Sequence, residues 1–134
     1  MRKALALLFV LACFPLSGCY SQETAAQGQL HKDKSGAYFF DFGQIKKGEQ
    51  LKRSFKFTNE TGKPLTISGI NTSCGCTGSE IKESSLAPGQ STEVTVKFNS
   101  KGYNPGKVRQ TLYIVTNNAK DSVIKVGVDI VVVE

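Results

Sequence analysis

Residues 91–99, Ser-Thr-Glu-Val-Thr-Val-Lys-Phe-Asn, alternate without a break. Val94, Val96 and Phe98 fall on one face, and Glu93, Thr95 and Lys97 on the other. Side chains of extended chain point to opposite faces with period two, so a half-buried strand is the element that buries one set and wets the other. The same signature returns in Leu51–Asn59 through Phe55 and Phe57, and in a long final run through Val126, Val128, Ile130 and Val132. Ala37–Phe42 opens the series, with Gly43 and Gly48 bracketing a turn. Leu65, Ile67 and Ile70 mark another strand, and residues 108–117 one more. Turn chemistry separates these runs at Gly62-Lys63-Pro64, Pro88-Gly89 and Pro105-Gly106. About seven strands and no amphipathic helix predict an all-β fold, an antiparallel immunoglobulin-like β-sandwich. The final strand is too long and apolar to be left as an exposed edge, and is expected inside a sheet.

The N-terminus has a different character. Met1-Arg2-Lys3 leads into eleven residues without a polar group, Ala4 to Phe14. A membrane-spanning helix needs about 20 apolar residues, and a basic start before a shorter apolar run has the form of a secretory signal peptide. Leu16-Ser17-Gly18-Cys19 follows, the pattern of a bacterial lipobox. Cleavage there falls before Cys19, whose thiol carries diacylglycerol. The expected organisation is thus a lipoprotein signal peptide at 1–18, a lipidated flexible tether at 19–36 and the β-sandwich domain at 37–134. The tether is polar and holds His31, the single histidine, which is expected to be inert. Acyl chains contribute about 0.8 kcal/mol per buried methylene, and more than one chain makes attachment stable. The protein is therefore expected to be exported and lipid-anchored to the bacterial cell envelope. Tyr20 rather than aspartate follows the cysteine, which favours the outer membrane where there is one.

The formal charge of +6 includes Arg2 and Lys3, which leave with the signal; the other basic residues are scattered. No like-charge block or motif points to nucleic acid. Of four cysteines, Cys13 departs with the signal and Cys19 is blocked by lipid, leaving Cys74 and Cys76 within Ser73-Cys74-Gly75-Cys76-Thr77. They lie in a compartment where disulfides persist. On a regular strand their Cα atoms stand ~6.6 Å apart, at the upper edge of disulfide geometry, so closure requires a bend, for which Gly75 is the permissive residue. Three readings stay open. The pair is a local disulfide or two small buried thiols; or a two-thiolate site for Cu(I), since structural zinc wants four ligands; or a centre of thiol–disulfide exchange. Exchange chemistry wants a group that lowers the thiol pKa, and Ser73, Thr77 and Gly78 supply none.

No domain histidine is available for a Ser–His–Asp or Cys–His arrangement, and no phosphate loop or dinucleotide fingerprint occurs. Asn59 and Asn71 match the glycosylation sequon, which a bacterial lipobox makes incidental. Taken in order, "FDFGQIKKGE", "FKFTNETGKPLTI", "SCGCT", "LAPGQSTEVTVKF" and "GKVRQTLYIVTNN" resemble the DUF1573 family of exported bacterial proteins, over roughly Phe40 to Val131. The resemblance implies an immunoglobulin-like sandwich akin to sperm-protein and pilus-chaperone domains. The functional expectation is a non-enzymatic envelope lipoprotein that binds a protein partner or supports envelope assembly, strand addition being the natural mode. The alternative is a Cu(I)-binding or thiol-redox lipoprotein acting through Cys74 and Cys76.

Overall fold

The computed structural model of the protein describes residues 26–75 and 77–134. Ten strands run in chain order: β1 (Ala26–Gly28), β2 (Leu30–Lys32), β3 (Tyr38–Lys46), β4 (Gln50–Thr58), β5 (Leu65–Thr72), β6 (Thr77–Ile81), β7 (Ser85–Leu86), β8 (Ser91–Asn99), β9 (Gly106–Thr116) and β10 (Val123–Val133). They form two sheets, one in the order β1-β4-β8-β6 and one in the order β2-β3-β10-β9-β5-β7. The all-β sandwich expected from the alternation is what the chain forms, and β10 lies inside its sheet between β3 and β9.

Three features differ from the sequence expectation. Among the described residues the strands number ten rather than about seven, because β1, β2, β6 and β7 are short or polar and carry no run of alternating aliphatics. Two pairings are parallel, β3 with β10 and β1 with β4. Only strands joined by a tight hairpin must be antiparallel; β3 and β10 are far apart in sequence, so no hairpin fixes their sense. Finally, Gly43 does not end the third strand. It has φ 86°, and the β3–β10 register slips between Asp129 and Ile130 at this point. The extra residue is a bulge. It moves the inward frame from Phe40 and Phe42 to Ile45, all three at most 2 % exposed. Strict period-two alternation would have turned Ile45 to water.

The core lies between the sheets. Phe40, Phe42, Leu112, Ile114, Val126, Val128, Ile130 and Val132 of the larger sheet face Phe55, Phe57, Val94, Val96 and Phe98 of the smaller one. Aromatic rings join the layers: Phe40 meets Phe55 at 4.9 Å between centroids, and Phe42 meets Phe98 edge-on at 6.0 Å. Such pairs contribute about 0.5–1.5 kcal/mol beyond area burial.

The sandwich has two poles. One carries the β3–β4 turn, the β5–β6 loop with Cys74, and the β8–β9 loop. Ser100 braces it, its hydroxyl bonding the carbonyls of Lys46 (2.6 Å) and Glu49 (3.0 Å). At the other pole Asn59 is 1 % exposed, and its amide donates to the carbonyls of Lys63, Leu86 and Ala87. A residue so engaged is no glycan acceptor, in line with the incidental reading of its sequon.

Residues 26–32, placed by sequence in the tether, pair along the sandwich edge. β1 adds to β4 in one sheet and β2 to β3 in the other. Gly28 passes so close to the core that a Cβ there would come within 2.5 Å of Phe40 Cε2. The expected signal peptide and lipobox, with Cys19, lie outside the described residues.

Candidate functional site at the inter-sheet loop

β5 belongs to one sheet and β6 to the other, so the link from Thr72 to Thr77 crosses between the layers. Cys74 lies in this crossing, half-buried between exposed Ser73 and Gly75, and it is disulfide-bonded. Cys76 lies outside the described residues, as do Cys13 and Cys19. The crossing is held by backbone and threonine bonds. The Thr77 N–H donates to the Cys74 carbonyl (3.1 Å), and the Thr72 hydroxyl lies 2.9 Å from the Cys74 carbonyl and 2.8 Å from that of Thr77. Gly75 stands in the turn that the Thr77–Cys74 backbone bond closes, as the sequence suggested, and makes it without a positive φ.

A polar chain leads to the sulfur. The Tyr103 hydroxyl lies 3.5 Å from Cys74 Sγ, and Gln110 Nε2 donates to that hydroxyl (3.1 Å). Gln110 Oε1 accepts from Ser73 Oγ (2.8 Å), which in turn accepts from the Thr111 N–H (3.0 Å). The Ser73 N–H also donates to the Thr111 carbonyl (2.9 Å), fastening the loop to β9. Tyr103 comes from the β8–β9 loop and rests on Phe98, with ring centroids 5.2 Å apart.

Sequence reasoning reached Cys74 and missed Tyr103 and Gln110. Tyr103 sits 29 residues from Cys74, and nothing local marks it. Gln110 does leave a trace. It occupies an inward position of β9 between Val108 and Leu112, where alternation calls for an apolar side chain. A buried polar group disfavours the fold unless it is hydrogen-bonded, so a glutamine in that frame signals a partner.

Among the described residues, no group of three or more His, Cys, Asp or Glu is placed to hold a metal ion. On β6 itself, Glu80 pairs with Lys97 of β8; hydrogen bonding to Lys97, then its charge, holds the Glu80 carboxyl below the usual range. At the opposite pole a cleft of about 930 Å³ is bordered by Lys32, Tyr38, Lys63, Asn117 and Asp121. It is remote from Cys74.

These features define a class: a two-sheet β-domain whose layers are joined by a disulfide-bonded loop braced by a tyrosine. The family described as "Protein of unknown function (DUF1573)" matches residues 35–130, and the chain belongs to it. Among solved structures, a protein of unknown function from Porphyromonas gingivalis W83 is similar at TM-score 0.61 and 17% identity. The match covers 85% of this chain and 51% of that one. The secreted serine protease VesC from Vibrio cholerae is similar at TM-score 0.54 and 14% identity, covering 79% of this chain and 23% of VesC. The Vibrio cholerae VesB protease gives 0.51 and 18%, covering 79% and 32%. The chain thus spans about half the length of the first structure and a third or less of the proteases, and these likenesses concern the fold. None of the curated proteins matches the chain in sequence.

Proposed function

We propose that the protein is an exported lipoprotein, held to a bacterial envelope membrane through lipid on Cys19, and that its β-domain is a non-catalytic module for a protein partner. The partner supplies an extended segment that adds to β6. Support for this reading comes from the outer side of β6, along which no strand pairs among the described residues. The Lys82 N–H bonds the Glu93 carbonyl of β8. Backbone groups alternate sides along a strand, so Gly78 and Glu80 also turn toward β8, while Ser79 and Ile81 direct their N–H and C=O groups outward. Those outward groups form the template that strand addition uses.

Ser79→Pro tests the mode directly. It removes an outward donor and leaves the ladder to β8 intact, a substitution edge strands tolerate. A photoreactive side chain placed at exposed Lys82, in cells producing the full chain, is expected to give a discrete adduct with one envelope protein, and Ser79→Pro is expected to abolish it. An adduct indifferent to Ser79→Pro, or none at all, overturns strand addition. Anchoring is read separately: Cys19→Ala is expected to move the protein from the membrane to the soluble fraction.

A further inference from the structure

We propose that the Cys74 disulfide is a thiol–disulfide exchange site, with Cys74 as the leaving sulfur and Tyr103 as the donor that receives its charge. The reactants are dithiols, of proteins or of small molecules, in the oxidising compartment. The inference takes its compartment from the export proposed above and rests on neither the lipid anchor nor strand addition.

The direction of the hydrogen bonds carries the argument. A disulfide sulfur has no proton, so across the 3.5 Å contact the Tyr103 phenol is the donor. Its oxygen accepts from Gln110 Nε2, whose Oε1 accepts from the Ser73 hydroxyl, whose oxygen accepts from the Thr111 amide. Every donor points the same way, from the β9 backbone to Cys74 Sγ, and such chains polarise one another. Polar packing alone is the plainer explanation, but a neutral disulfide is a weak acceptor that needs no donor. Phenylalanine at 103 and leucine at 110 would fill the same frame. The chain gains most when the sulfur becomes a thiolate, since hydrogen bonds to ionised groups are about twice as strong. That difference between oxidised and reduced states favours opening of the bond, and a better-stabilised thiolate leaves faster.

The step balances as follows. A reactant thiolate attacks the sulfur bonded to Cys74 and forms a mixed disulfide. The bond to Cys74 breaks, its electron pair goes to Cys74 Sγ, and the Tyr103 O–H turns to the new charge. The reactant's second thiolate then displaces the mixed disulfide. The reactant leaves as a disulfide, the protein's disulfide has become two thiols, and the two protons of the reactant end on the protein. Cys74, the leaving sulfur, is half-buried beside its donor, between exposed Ser73 and Gly75.

The test is the thiol–disulfide equilibrium of the full mature protein in detergent. It is brought to equilibrium with reduced and oxidised glutathione and scored by mass-tagging of free thiols. Tyr103→Phe keeps the ring on Phe98 and removes the donor. It is expected to make the disulfide about tenfold harder to reduce, the scale of one hydrogen bond to a charged group. Gln110→Leu is expected to shift the equilibrium the same way by less, and it decides the question should Tyr103→Phe fail to fold. Equal equilibrium constants for wild type and a folded variant overturn the proposal, as does a wild-type disulfide that glutathione fails to open. Ser79→Pro is expected to leave this equilibrium unchanged, so failure here is separable from failure of strand addition.

Discussion

Gly75 separates the two cysteines of the motif, and the sequence assigns it the bend between them. The structure keeps the bend there: Gly75 stands inside the turn that the Thr77 N–H closes on the Cys74 carbonyl. Gly75 has no positive φ, and a Cβ on it would meet nothing within 4 Å. The turn is made by the Thr77–Cys74 backbone bond and the Thr72 hydroxyl. Alanine fits both this backbone and the open space beside it, so Gly75→Ala is expected to change stability by no more than about 0.5 kcal/mol, as read by urea denaturation. The cysteines were legible as a motif, because two thiols one residue apart are unusual whatever surrounds them. The donor that gives Cys74 its chemistry was not legible, because tertiary folding alone brings Tyr103 within 3.5 Å. Gln110 stands between these cases: its residue type conflicts with its frame, and only the folded contact resolves the conflict.

At the scale of elements, the strands that were readable are those that bury a continuous face, such as β8 with its unbroken alternation. β3 was read only to Phe42, because a glycine there has two meanings, turn or bulge, and local sequence does not choose between them. What chooses is Ile45, which enters the core only if the frame shifts at Gly43. The edge strands β1 and β2 were read as tether because their composition is polar. They are fixed by backbone pairing and by one close approach, Gly28 against Phe40. Phe40 is fully buried and its ring is packed against those of Phe42 and Phe55. β1, paired over three residues, is the element that yields. Gly28→Val is expected to undock β1, opening the chain before Leu30 to limited proteolysis. The global unfolding midpoint should fall by an amount matching about 1 kcal/mol, at the low end of overpacking.

Across the whole molecule, one aromatic set links the layers, and Phe98 is the member that also carries Tyr103. Phe98→Ala is expected to cost about 3–5 kcal/mol, a large part of the about 5–15 kcal/mol that holds an ordinary domain folded. Urea denaturation measures it, with the free-thiol equilibrium shifting alongside as Tyr103 loses its seat. The described fold also governs how the molecule responds to load. A pull on the N-terminal end acts first on β1 and β2, each paired over three residues, whereas the β4–β8 ladder runs over nine. These two strands are a mechanical fuse. Their peeling lets out seven residues, up to ~24 Å of slack, before the core between the sheets feels the tension.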